Sequence, residues 1–127
     1  MVVVTNRRKC VIVIDDDEAM LGSIASLLNN LGFATELYTS AEAFLSVSKC
    51  RDVANCCMVL DIQLGGMSGI ELASRLANTE HMLPIIFVTG NDNALVRKAA
   101  LQQGCVAYIT KPFAAKLLVE AIDQASA

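Results

Sequence analysis

Cys10-Val11-Ile12-Val13-Ile14-Asp15-Asp16-Asp17 is the stretch on which the fold turns. Val11 to Ile14 are β-branched, stiff at χ1 and suited to a strand. The run shows no polar alternation, so both faces of this strand are expected to be buried, as in a parallel sheet covered by helices on both sides. Aspartates follow without a spacer, which puts carboxylates at the carboxyl end of a buried strand.

Outward from this stretch the pattern repeats. Met20, Ile24, Leu27, Leu28 and Leu31 form one apolar helical stripe that Gly32 is placed to stop. Phe33 to Tyr38 reads as a short alternating strand, and Ser40 as the cap of a helix carrying Ala43, Phe44 and Val47. Cys56 to Leu60 is a third strand ending at Asp61, followed by a helix from near Ser68 with Ile70, Leu72, Ala73 and Leu76. Ile85 to Val88 ends at Thr89, and Asn91 or Asp92 is expected to cap a fourth helix bearing Leu95, Val96, Ala99 and Leu101 before Gly104. Cys105 to Ile109 leads to Lys111-Pro112 and a last helix from about Phe113 to Ala125.

Strict alternation of strand and helix predicts an α/β, doubly wound parallel sheet with right-handed crossovers. One domain over 1–127 is expected, with its core at about 9–125 and no linker, repeat or output domain visible. In such sheets ligands bind beyond the carboxyl ends of the strands. Asp15-Asp16, Asp61, Thr89 and Lys111 each end or directly follow an apolar strand, so they should meet at one edge. Taken singly, each has a plain structural role as helix cap, turn or loop residue. Their succession at strand ends carries the functional argument. Clustered carboxylates repel, and a hard divalent cation with oxygen ligands relieves them. Lys111 adds a mobile positive charge and Thr89 a hydroxyl, a set suited to phosphoryl transfer onto a carboxylate.

Composition limits the other classes. The 127 residues are 54% hydrophobic with a net charge of −3, which suits a packed domain and opposes nucleic-acid binding. No apolar run reaches the roughly 20 residues of a membrane span. The early valines precede Arg7-Arg8-Lys9, the reverse of a signal peptide, so a cytoplasmic location is expected. Five cysteines without C-x-x-C spacing suggest neither a disulfide framework nor zinc, and Cys56-Cys57 reads as core. The single histidine, His81, reads as a surface turn residue.

Val11 to Asp17, Val59-Leu60-Asp61, Met67 to Leu72, Val88-Thr89-Gly90 and Tyr108 to Phe113 together resemble the receiver domain of two-component response regulators, from about Lys9 to Ile122. The resemblance implies a flavodoxin-like (βα)5 domain with strand order 2-1-3-4-5. It implies Asp61 as phosphoacceptor, and Mg²⁺ (or Mn²⁺) held by Asp16, by Asp15 through water, by Asp61 and by the Gln63 carbonyl. Thr89 and Tyr108 correspond to the switch pair, Lys111 to the lysine that pairs with the acceptor, and Gln63 and Asn91 to positions tuning dephosphorylation. The Lys111-Pro112 bond is cis in the family. Implied partners are a sensor histidine kinase or phosphotransfer protein, a downstream output domain or effector read through the fourth helix, fifth strand and fifth helix, and a phosphorylation-dependent homodimer. No enzyme activity beyond the domain's own phosphorylation and dephosphorylation is implied.

Gly65 stands where the family usually has proline, which leaves the loop after the acceptor less restrained. A receiver-like module working without phosphorylation is therefore an alternative. A haloacid-dehalogenase-type phosphatase is a further one, opposed by Gln63, which stands where that enzyme needs a general acid.

Overall fold

The computed structural model describes residues 9–48, 53, 55–78 and 83–126. Five strands alternate with five helices: β1 (Cys10–Ile14), α1 (Glu18–Asn30), β2 (Ala34–Tyr38), α2 (Ala41–Ser48), β3 (Cys56–Asp61), α3 (Gly69–Ala77), β4 (Ile85–Thr89), α4 (Ala94–Gln102), β5 (Ala107–Thr110) and α5 (Ala115–Ser126). The strands are parallel in the order β2-β1-β3-β4-β5, as expected. His81, Cys50, Arg7 and Arg8 lie outside the described residues.

Alternate side chains of β1, β3, β4 and β5 supply two separate cores. Ile12, Ile14, Met58, Leu60 and Phe87 pack with Phe44 of α2, Leu72 and Leu76 of α3 and Ala100 of α4. Val11, Val13, Cys57, Val59, Ile86 and Val88 pack with Leu21, Ile24 and Leu28 of α1 and Leu118 and Ile122 of α5. Two-sided cover is why β1 and β3 read as continuous apolar runs, and every residue of β3 is buried. Cys56 and Cys57 are core residues, and burial pushes the Cys57 thiol up to about 11. The four described cysteines form no disulfide. No described helix is long and apolar enough to cross a membrane.

The helix starts follow local chemistry. Asp17 caps α1 by accepting the Ala19 and Met20 N–H groups, and Ser68 caps α3 by accepting from Glu71. The cap of α4 is Asn93, not Asn91 or Asp92, and it accepts from Val96 at 2.9 Å. Asn91 gives its N–H to Thr89 and Asp92 turns its carboxylate to Tyr108 and Arg97, so the helix begins later. The phase of α4 also differs from expectation. Leu95 and Leu101 are 82% and 56% exposed, and Ala100 is the residue of this helix that is buried. Its inward line passes through Val96 and Ala100, four positions apart, which leaves the leucines facing solvent. Val47 and Leu31 are likewise exposed. β5 begins at Ala107 and α5 at Ala115, each two residues later than the pattern suggested.

Candidate functional site

The carboxyl ends of β1, β3 and β4 share one local device. Asp15 Oδ1 accepts the Asp17 N–H at 2.9 Å, Asp61 Oδ1 accepts the Gln63 N–H at 3.0 Å, and Thr89 Oγ1 accepts the Asn91 N–H at 3.0 Å. In each turn the amide two residues on fixes one side-chain oxygen over the strand end. The carboxylates keep their second oxygens free for a shared cation. Lys111 Nζ donates to Asp15 Oδ2 at 2.9 Å and to Asp61 Oδ2 at 3.3 Å. The lysine is held in turn by its own N–H, which donates to the Thr89 carbonyl at 2.8 Å, and the Lys111–Pro112 peptide is cis.

Asp61 is set by backbone on two sides. It pairs in register with Val88, and the Ile62 N–H donates to the Val88 carbonyl at 3.0 Å. On the other side α3 begins against it, with the Gly69 N–H on the Ile62 carbonyl at 3.0 Å. A Cβ on Gly69 would stand 2.3 Å from the Asp61 carbonyl oxygen, so only glycine permits this approach.

Asp15, Asp61 and Thr89 are the buried polar residues among those described. Burial raises the Asp61 carboxyl above its ordinary range, with a further push from Asp15, against the Gln63 N–H and the charge and hydrogen bond of Lys111. Burial also opposes the Lys111 charge, but its hydrogen bond to Asp15 and the charges of Asp61 and Asp15 outweigh it and raise the ammonium. One lysine thus faces the aspartates at the edge and cannot neutralise them all.

Asp15, Asp16 and Asp61 each offer a carboxylate oxygen, all within 4.8 Å of one another. Side chains gathered this closely would hold one small hard cation, with waters completing its shell. Hard oxygen donors with excess negative charge fit Mg²⁺ or Mn²⁺. Asp16 is exposed, which suits a ligand that an incoming ion meets first. The Gln63 and Asn91 side chains are exposed, each two residues beyond Asp61 and Thr89 respectively.

Tyr108 lies at the edge of this site and points its hydroxyl elsewhere, donating to Asp92 Oδ1 at 2.9 Å. Arg97 stacks over its ring, 5.4 Å from the centroid, and pairs with Asp92 at 2.6 Å. Burial raises the Tyr108 hydroxyl, helped by the bond to Asp92, while Tyr108 and Arg97 lower the Asp92 carboxyl. Sequence reasoning passed over Arg97, and it named Asp92 only as a cap. Asp92 and Arg97 are five positions apart, but the Tyr108 that both engage lies on β5, so no short-range signal marks the group.

Residues 11–123 match the family profile described as "Response regulator receiver domain". The transcriptional regulatory protein FixJ of Rhizobium meliloti is 37% identical over 114 residues, covering 90% of this chain and 55% of that protein. The response regulator protein TmoT of Ectopseudomonas mendocina is 31% identical over 120 residues, covering 94% of this chain and 54% of its own length. The chain spans about half the length of these curated relatives. The crystal structure of FixJ-N superposes with a TM-score of 0.86 at 36% identity, covering 95% of each chain.

Proposed function

This chain belongs to the response-regulator receiver domain family of two-component systems, and on that premise we propose that it takes a phosphoryl group onto Asp61 and relays the change through Thr89 and Tyr108. The observation that carries the reading is Lys111 bridging Asp15 and Asp61 within the acidic cluster. Asp61 Oδ2 attacks phosphorus of a phosphohistidine on a sensor kinase or phosphotransfer protein. A P–O bond forms to the carboxylate, the P–N bond breaks, and the imidazole leaves with the bonding electrons and takes up a proton. A divalent cation held by Asp15, Asp16, Asp61 and the Gln63 carbonyl would neutralise charge on the transferring oxygens.

The chain's own groups do the rest. The Gln63 N–H orients the carboxylate through Oδ1 and leaves Oδ2 toward the donor. Lys111 is placed to follow negative charge from the carboxylate to a phosphoryl oxygen. Thr89 turns its hydroxyl from local structure onto the phosphoryl group, and Tyr108 leaves Asp92 for the space beside it. That movement alters α4, β5 and α5, where an output domain, an effector or a second copy would dock. Gln63 and Asn91 set how readily water reaches the acyl phosphate and thus its lifetime. The chain catalyses only its own phosphorylation and dephosphorylation, and acts in the cytoplasm with its kinase. Glycine at positions 65 and 66 keeps the phosphorylation-independent module as the second reading.

Intact mass after incubation with acetyl phosphate and Mg²⁺ tests this. A phosphate-sized adduct lost in Asp61→Asn and with a chelator is expected. No adduct, while a known receiver labels in parallel, would reject the phosphoacceptor reading.

A further inference from the structure

The loop after the acceptor, Ile62-Gln63-Leu64-Gly65-Gly66-Met67-Ser68, contains adjacent glycines, whose backbone loses more freedom on ordering than other residues. Its ends are tied by the Gln63 N–H on Asp61 Oδ1 and the Gly69 N–H on the Ile62 carbonyl. Between those ties, among the described residues, one hydrogen bond reaches the loop from another element. The Met67 N–H donates to Glu42 Oε2 at 2.9 Å, across 25 positions of sequence. The same oxygen lies 2.8 Å from where a Cβ on Gly66 would stand, and Gly66 has φ +79°. The carboxylate is therefore seated against bare backbone, in contact that a larger residue at 66 would prevent. The Met67 N–H is also the main reason the Glu42 carboxyl sits below its usual range.

We propose that Glu42 is a positioning residue for the metal site: from the first turn of α2 it fixes the glycine loop that carries the Gln63 carbonyl. The proposal rests on the reading above that this carbonyl is a metal ligand. Glu42 touches neither ion nor phosphoryl group. It acts by holding a flexible loop in one conformation before the ion arrives, as outer partners of metal ligands do. Without it, ordering of the loop would be charged against binding.

Glu42→Ala and Glu42→Gln test the idea in the whole chain. Glu42 lies on an exposed part of α2, where alanine is a good helix former, so both variants are expected to fold. Three readouts are needed: exchange of the Met67 amide by NMR, Mg²⁺ affinity by calorimetry, and acyl-phosphate lifetime. In Glu42→Ala the Met67 amide should exchange faster and Mg²⁺ should bind about tenfold more weakly. Glu42→Gln loses the charge but keeps an oxygen for the Met67 N–H, so it should stay near wild type. Loss of Mg²⁺ affinity to the same extent in both variants would assign the effect to charge and overturn the proposal. So would faster Met67 exchange in Glu42→Ala with unchanged Mg²⁺ affinity. Wild type binding Mg²⁺ no better than Asp61→Asn would remove the metal-site reading itself, a result distinct from either.

Discussion

Gly69→Ala tests how Asp61 is set. The added Cβ would lie 2.3 Å from the Asp61 carbonyl oxygen, 2.9 Å from Ile62 Cα and 3.0 Å from the Asp61 carbonyl carbon. All three are backbone atoms, so no side chain can swing aside. Restoring ordinary van der Waals separation requires a shift of about 1 Å, either of Asp61 or of the first turn of α3. Overpacking of this kind costs about 1–3 kcal/mol. Weakening the Gly69–Ile62 hydrogen bond adds about 0.5–1.5 kcal/mol. Loss of glycine freedom in the unfolded chain offsets about 0.4–1 kcal/mol. The net is a loss near 2 kcal/mol, or roughly 6–10 °C in Tm for a domain of this size. A misplacement of about 1 Å at a reacting group can also slow chemistry by about a hundredfold. Urea unfolding and acetyl-phosphate labelling would be measured beside Gly65→Ala, whose Cβ meets nothing within 4 Å. Gly69→Ala matching that control in both assays would refute the close-approach argument.

Asp61→Asn should stabilise the metal-free chain at neutral pH. Burial raises the folded-state value of Asp61 above its unfolded value of 3.8, so its favourable contribution is present below that pH and is lost as pH rises through the folded value. Urea midpoints should favour the variant at neutral pH and converge near pH ~4; an equal or lower midpoint at neutral pH counts against the sign. Asp92→Ala should free the Tyr108 ring, lower its hydroxyl in a spectrophotometric titration and speed labelling of Asp61 by acetyl phosphate. Unchanged titration and labelling would mean that Asp92 does not restrain Tyr108.

The sheet was legible because strands buried on both faces spell themselves out as unbroken apolar runs. The polar residue that ends each run falls at the binding edge by the geometry of parallel crossovers. Asp15, Asp61, Thr89 and Lys111 needed nothing more to be placed at one edge, although the roles given to them came from family resemblance. The phase of α4 was not legible, because Leu95, Val96, Ala99 and Leu101 admit more than one inward line. Tertiary contact selected the one through Val96 and Ala100. Tethers across the fold were also hidden. Glu42 and Met67 are 25 positions apart and Asp92 and Tyr108 are 16 apart, and no periodicity links residues on different elements.

The register of β3 and β4 has a consequence for the form of the signal. Thr89 stands one position beyond Val88, the partner of Asp61, so ladder hydrogen bonds fix the spacing of hydroxyl and carboxylate. Sliding by one residue would turn every side chain to the other face. What remains free is rotation about χ1 of Thr89, a β-branched residue with few allowed rotamers. In the relay proposed above, each molecule would occupy one staggered rotamer or another, with no graded geometry between them. Under that proposal a graded response would come from how the population divides between rotamers, not from intermediate shapes of one molecule.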